Sequence, residues 1–168
     1  MLRLTIDFWK STMDIQAYVM HNKTGKPRNL PMTFDTGAYI TSVDADFLRR
    51  AGYDVKKGKS TAVNTVGRKN IPANEILLRG LELGDIGCPR IALGPVLVYA
   101  IDMSDAPETI GVLGMNVIRE FKVSICFGAP SSIELHPTFD LKLPVLYENF
   151  MRNSSRFGLW SESSITGA

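Results

Sequence analysis

The chain has 168 residues, of which 45% are hydrophobic and 21% are charged, so it has enough apolar side chains to form the core of one domain. Its formal net charge of +2 does not predict the dense basic surface that binds nucleic acid. No apolar run approaches the ~18 residues of a membrane-spanning helix, and the N-terminal residues alternate in polarity, unlike a signal peptide. Since the two cysteines are also too few for a disulfide framework, we expect a cytoplasmic domain with reduced thiols.

The first part of the chain alternates apolar and polar residues with a period of two, which is typical of β-strands with one buried face. This pattern predicts strands over residues 2–8, 15–19 and 30–34. A helix is predicted next, because Asp44 can cap its N-terminus and Gly52 can end it.

Several short strands, separated by glycine-containing turns, are predicted between residues 60 and 99. The apolar residues 96–99 predict a fully buried strand, and residues 115–121 predict a second short helix. Alternating strands follow at 123–127 and 133–135. Short strands at this spacing favour an all-β domain that closes into a barrel, with one or two short helices.

The domain is predicted to cover residues 1–137. Periodicity weakens after this point, and residues 153–168 contain five serines and show no periodic pattern. Residues 138–168 are therefore predicted to be a C-terminal extension that is partly disordered.

One carboxylate stands at the end of an apolar strand, in the sequence Phe34-Asp35-Thr36-Gly37-Ala38. The glycine two residues after the aspartate allows the backbone to turn sharply and to approach another chain closely. Two interpretations are open for this motif alone: Asp35 can begin a turn and bond nearby backbone, or it can be catalytic.

A second motif, Val112-Leu113-Gly114 followed by Asn116, leaves an apolar strand through a glycine into a short helix. By itself it is compatible with an ordinary join between a strand and a helix. The order of the two motifs along the chain, with a glycine-containing hairpin between them, favours a catalytic function.

These segments resemble the catalytic loop and the second signature of the retropepsin-like aspartic proteases, the single-domain relatives of pepsin that include retroviral proteases. The resemblance spans residues 30–127, and residues 63–69 lie where these proteases carry a mobile flap. It implies a closed retropepsin-type β-barrel and an aspartic endopeptidase that needs no metal and no organic cofactor.

The resemblance also implies a role for each residue of the loop. Asp35 is the catalytic acid and base, the Thr36 hydroxyl holds two loops together across a dimer axis, and the Gly37 carbonyl meets the substrate. Ala38 stands where pepsin-like halves often have a hydroxyl donor, so we expect a mildly acidic to near-neutral pH optimum. The implied substrate-binding residues are Ala38, Val63, Thr65, Val66, Gly67, Ile110 and Val112, whereas Leu113 is interpreted as core.

The implied mechanism needs two carboxylates, but the chain has one Asp-Thr-Gly loop. Residues 85–87 look similar but lack a hydroxyl residue between the aspartate and the glycine, and we interpret them as a hairpin turn. The second carboxylate must then come from a second copy of the chain, so the resemblance implies a homodimer that cuts a polypeptide substrate. Tyr39, Ile40 and Met115 replace the acidic residues and the arginine whose ion pairs support the retroviral dimer.

Two other functions stay open on the sequence. The first is a non-catalytic module that binds peptides on the same fold. The second is a structural β-barrel subunit in which Asp35 is a buried turn residue.

Overall fold

The computed structural model describes residues 1–5, 12–65, 68–105, 109–127 and 131–138. The predicted flap residues Val66 and Gly67, part of the first predicted strand, and nearly all of the predicted C-terminal extension lie outside these ranges.

The described ranges consist mainly of β-strands. In chain order these are β1 (Leu2–Thr5), β2 (Asp14–Met20), β3 (Pro27–Phe34), β4 (Ser42–Asp44), β5 (Lys59–Thr65), β6 (Arg68–Leu78), β7 (Leu81–Leu83), β8 (Ile91–Leu93), β9 (Val96–Ile101), β10 (Gly111–Leu113), β11 (Phe121–Cys126) and β12 (Ser132–Pro137). The α-helices are α1 (Ala45–Arg50) and α2 (Met115–Ile118), and a short 3-10 helix covers Val55–Lys57.

The strands form two sheets. The larger sheet has nine strands in the order β5-β6-β9-β4-β10-β3-β2-β7-β8, and the smaller has three in the order β1-β12-β11. Strand β10 lies between β3 and β4: Val112 pairs with Thr33 in parallel and with Ser42 antiparallel. This arrangement brings the strand before the second motif alongside the strand before Asp35.

The larger sheet is open, so the prediction of a closed barrel is wrong for the described part of the chain. Its edge strands β5 and β8 pair with β6 and β7 respectively, and not with each other. Strand β6 pairs with β9 only from Ala73 onward, whereas Arg68 to Pro72 face β5 alone. Residues 62–65 and 68–72 thus extend beyond β9 as a two-stranded hairpin, here called the hairpin arm.

One main hydrophobic cluster joins both sheets and both helices. The alternation predicted for β2 is confirmed, because Ile15, Ala17 and Val19 are all buried in this cluster. The prediction of a fully buried strand at 96–99 is wrong: Leu97 and Tyr99 are only half-buried. Their side of the sheet faces away from the main cluster, as expected when successive side chains point to opposite faces.

The predicted helix ends at α1 are confirmed. The Asp44 carboxylate accepts a hydrogen bond from the Phe47 N–H at 2.8 Å, and Gly52 has a φ of 83°, which favours glycine. Helix α2 is shorter than predicted, because Phe121 already begins strand β11. None of the helices in the described ranges is long and apolar enough to cross a membrane.

Tyr53, which follows α1, links the turn after β2 to the turn after β6. Its hydroxyl donates a hydrogen bond to the Met20 carbonyl at 2.7 Å and accepts one from the Arg79 N–H at 3.0 Å. Burial raises the pKa of the Tyr53 phenol above its ordinary value, and the neighbouring Arg79 partly opposes this. The neutral phenol is therefore the form that stabilises the fold.

We expect Tyr53→Phe to lower the free energy of unfolding by ~1–2 kcal/mol at neutral pH, because the Met20 carbonyl and the Arg79 N–H each lose a partner in a partly buried contact. Because the folded-state pKa of Tyr53 is raised, the stabilising effect of this tyrosine is present below pH ~10 and is lost as the pH rises further. Urea unfolding at pH 7 measures the loss. Tyr39→Phe is the control, since the Tyr39 side chain is 79% exposed; equal stability of the two variants would contradict the assignment.

Candidate active site

The Asp-Thr-Gly segment forms a tight turn directly after β3. The Asp35 N–H donates a hydrogen bond to the Leu113 carbonyl at 3.1 Å, and the Gly37 N–H donates to Asp35 Oδ1 at 2.7 Å. All three residues of the segment are exposed, and Ala38 after them is half-buried. The structure thus places a carboxylate at the surface, on a backbone that is held by its own turn and by the second motif.

The segment around Asp85 has a different role, as predicted. It forms the turn between β7 and β8, and Asp85 Oδ2 accepts hydrogen bonds from the Thr5 N–H at 3.0 Å and from the Thr5 hydroxyl at 2.9 Å. The Asp85 carboxylate is therefore already engaged in joining the N-terminal strand to this hairpin.

The first turn of helix α2 holds the residues that follow the Asp-Thr-Gly segment. The Met115 N–H donates to the Ala38 carbonyl at 2.8 Å, and the Asn116 N–H donates to the Tyr39 carbonyl at 3.1 Å. A helix leaves the N–H groups of its first turn without partners inside the helix, and here the loop supplies them. The two sequence motifs are therefore in direct contact, although they lie far apart along the chain.

A buried hydrogen-bond network reinforces this contact. The Thr41 N–H and hydroxyl both donate to Asn116 Oδ1, at 2.7 and 2.8 Å, and the Gly114 N–H donates to the Thr41 hydroxyl oxygen at 3.1 Å. Asn116 Nδ2 in turn donates to the Leu97 carbonyl at 2.9 Å. Thr41 is fully buried, so these partners replace the water that its polar groups would otherwise bind.

Gly114 is required by close backbone packing. A Cβ at this position would lie 2.6 Å from the Ile40 carbonyl carbon and 2.7 Å from the Thr41 nitrogen. Backbone atoms cannot move aside as the end of a flexible side chain can, so any larger residue would push the second motif away from the loop.

Two of the predicted substrate-binding residues meet on the outer face of the large sheet, the face opposite the main cluster. Val63 from the hairpin arm and Val112 from β10 both pack against a second, smaller cluster of Ala73, Ile101 and Met103. The structure thus brings the arm and the strand before the second motif to one apolar surface.

The remaining predicted positions are more dispersed. Ile110 packs against the main cluster, and Thr65 is exposed at the end of β5. Leu113 is fully buried in the main cluster, which agrees with its interpretation as core.

A tyrosine on the same outer face has an altered protonation equilibrium. Burial raises the pKa of the Tyr99 phenol, and the charges of Glu75 and Tyr39 raise it further. Tyr99 therefore stays neutral around pH 7 and can donate a hydrogen bond. Tyr39, which directly follows Ala38, is 79% exposed, whereas Glu75 is only 8% exposed.

Three residues of this region were not predicted from the sequence: Thr41, Glu75 and Tyr99. For Thr41 a signal existed, because the alternation at 41–44 puts it on the same face as the buried Val43, where a polar residue needs a partner. No comparable signal exists for Glu75, since its burial depends on strands that only the fold places beside it.

The described residues include no group of three or more His, Cys, Asp or Glu side chains that could hold a metal ion.

We expect Thr41→Val to lower the free energy of unfolding by ~1–3 kcal/mol, because it keeps the shape of the side chain but leaves the buried Gly114 N–H and Asn116 Oδ1 short of a partner. Urea unfolding measures this loss. Thr61→Val is the matched control, because Thr61 is a half-buried threonine of strand β5, outside this network. A loss no larger than that of the control would mean that the network does not hold the loop.

The comparisons with known proteins agree with this arrangement. The profile of the aspartyl protease family matches residues 17–117. Among solved structures, the fold is similar to a retropepsin-like aspartic protease from Rickettsia conorii, with a TM-score of 0.55 and 19% sequence identity over 80% of this chain and 89% of that chain. A search of curated protein sequences found no match. The chain therefore belongs to the aspartyl protease family and has a retropepsin-like fold.

Proposed function

We propose that the protein is an aspartic endopeptidase that cuts extended polypeptides as a homodimer. The observation that carries this proposal is the single exposed Asp35 carboxylate, held by the second motif and facing solvent from a fixed backbone. A carboxylate that is held in position and exposed at the surface can be approached by the same carboxylate of a second chain.

The chemistry follows from bringing two such carboxylates together. Two carboxylates about 3 Å apart cannot both ionise cheaply, so they share one proton. The ionised one removes a proton from a bound water, which attacks the carbonyl carbon of the scissile peptide, while the other donates its proton to the carbonyl oxygen. Return of a proton to the departing nitrogen then breaks the C–N bond and releases an amine and a carboxylic acid.

The substrate would bind as an added β-strand between the hairpin arm and the Asp-Thr-Gly segment. In this mode main-chain hydrogen bonds hold the peptide, and alternate side chains enter pockets. Val63 and Val112 are proposed as pocket walls because they meet on the outer face. The roles of Thr36, Gly37 and Ala38, and those of Thr65, Val66, Gly67 and Ile110, remain predictions from the family resemblance.

The rival function, a peptide-binding module without catalysis, is favoured by one observation. Tyr39, Ile40 and Met115 occupy the positions at which retroviral proteases carry dimer-supporting charges. With apolar or aromatic residues there, the dimer must be held by other contacts. A module that binds peptides as a monomer needs no such contacts.

We expect Asp35→Asn to reduce kcat for peptide hydrolysis by ~10²–10⁴-fold, the usual contribution of a general acid–base group. The activity per chain of the unsubstituted protein should also fall on dilution, because the second carboxylate dissociates with the second copy. Cleavage of a mixed peptide set, followed by mass spectrometry over a range of protein concentrations, measures both effects.

Asp46→Asn is the control, since it alters an exposed carboxylate on α1, away from the loop. Equal cleavage by Asp35→Asn and the unsubstituted protein would overturn the assigned chemistry. Peptide binding without any cleavage would favour the rival module.

A further inference from the structure

A buried carboxylate stands on the outer face of the large sheet without a hydrogen-bond partner for one of its oxygens. Glu75 is 8% exposed, and its Oε2 has no partner among the described residues. Glu120 is equally buried, but its carboxylate lies 3.5 Å from the Arg119 guanidinium. An unpaired carboxylate oxygen in a dry site is costly, so a partner from outside the chain would stabilise it.

Glu75 is connected to the active site by a continuous row of paired residues. Across the sheet, Lys59 pairs with Glu75, Glu75 with Tyr99, Tyr99 with Ser42, and Ser42 with Val112. Residues paired across neighbouring strands share one face, so the whole row lies on the outer face. The row begins at the foot of the hairpin arm and ends at the strand that precedes the second motif.

The row also gives the distance between Glu75 and the strand that precedes the second motif. Three strand spacings of ~4.8 Å separate its backbone from that of Val112, about 14 Å in all. An extended peptide rises ~3.3 Å per residue, so this distance corresponds to about four residues. Asp35 follows β3, the next strand beyond β10, so a substrate side chain that reaches Glu75 belongs to a residue several positions away from the scissile bond.

We propose that Glu75 forms a subsite that takes a basic side chain, Lys or Arg, of the peptide substrate; this inference rests on the proposed endopeptidase function. An ionised carboxylate only accepts hydrogen bonds, and ammonium and guanidinium groups are the side-chain donors that pair with it most strongly. The outer face suits the rest of such a side chain, because the half-buried Leu97 and Tyr99 can cover an aliphatic stem.

The residue that could compete for this carboxylate is Lys59, its cross-strand neighbour on β5. The Lys59 residue is exposed, and its ammonium makes no hydrogen bond to Glu75 Oε2. Glu75 Oε2 has almost no accessible surface, so a cation that approaches over the outer face reaches it only when the side chains around it move.

The test compares peptides that are identical except for one residue. Lysine, acetyl-lysine or norleucine is placed in turn at each of the four positions on either side of a cleaved bond, and kcat/KM is measured. We expect lysine to be preferred over both neutral analogues by about tenfold at one position. Glu75→Gln should reduce this ratio to within about twofold, whereas Glu120→Gln, the control matched for burial, should leave the ratio unchanged.

Cleavage without a lysine preference, or a preference that survives in Glu75→Gln, would overturn the subsite and leave the endopeptidase intact. If Glu75→Gln does not fold, the unsubstituted protein alone is used. Faster cleavage of the lysine peptide than of the acetyl-lysine peptide then supports the subsite, and equal cleavage rejects it. If no peptide is cut at all, binding of the same peptides to Asp35→Asn replaces kcat/KM as the readout. A tenfold tighter binding of the lysine peptide would then support the subsite without the enzyme, and equal binding would reject it.

Discussion

The hydrogen bonds between Thr41 and Asn116 hold together the two segments on which the active site depends. Exposed loops are usually the most mobile parts of a domain, and Asp35 stands on such a loop. Here the carbonyl groups of Ala38 and Tyr39 accept hydrogen bonds from the first turn of helix α2. The buried Thr41 adds a side-chain hydrogen bond to Asn116. The carboxylate is thus open to solvent while the backbone that carries it is held by the core.

For the proposed mechanism with two carboxylates, the site of one chain is chemically incomplete. A single carboxylate cannot act as the acid and the base of the reaction at once. In the proposed dimer the second carboxylate supplies what is missing. Catalysis in such a dimer depends on the interface between the two chains. The uncharged residues Tyr39, Ile40 and Met115 stand where the resemblance places the charges that support the retroviral dimer, so they would affect the strength of this interface.

The sequence predicted those parts of the fold that depend on local patterns. Three such features were predicted correctly: the alternation in β2, the Asp44 cap of α1 and the turn at Asp85. Each of them depends on a few neighbouring residues. The closed barrel was not predicted correctly, because closure depends on which distant strand edges meet. In the structure β5 and β8 are the two edges of the large sheet, and β6 continues past the end of β9 to pair with β5 alone.

The residues of the candidate site also fall into two groups: those that local motifs predict and those whose environment depends on the fold. Asp35 and Gly114 could be found because short motifs with glycine report special backbone geometry. Glu75 could not, because in the sequence Asn74-Glu75-Ile76 it looks like any polar residue at the edge of a strand. Its burial arises only when β9 places Tyr99 opposite it.

The two faces of the large sheet carry hydrophobic clusters of different size, and this difference bears on how a peptide could enter. The inner face belongs to the main cluster, whereas the outer face has a small cluster to which Val63 of the hairpin arm contributes. Residues 68–72 pair with β5 alone, and an isolated two-stranded hairpin is only marginally stable in water. Local opening at the arm therefore costs far less than unfolding of the core. Because Glu75 stands where the arm joins β9, the movement that admits a peptide strand would also bring its unpaired oxygen within reach of the substrate.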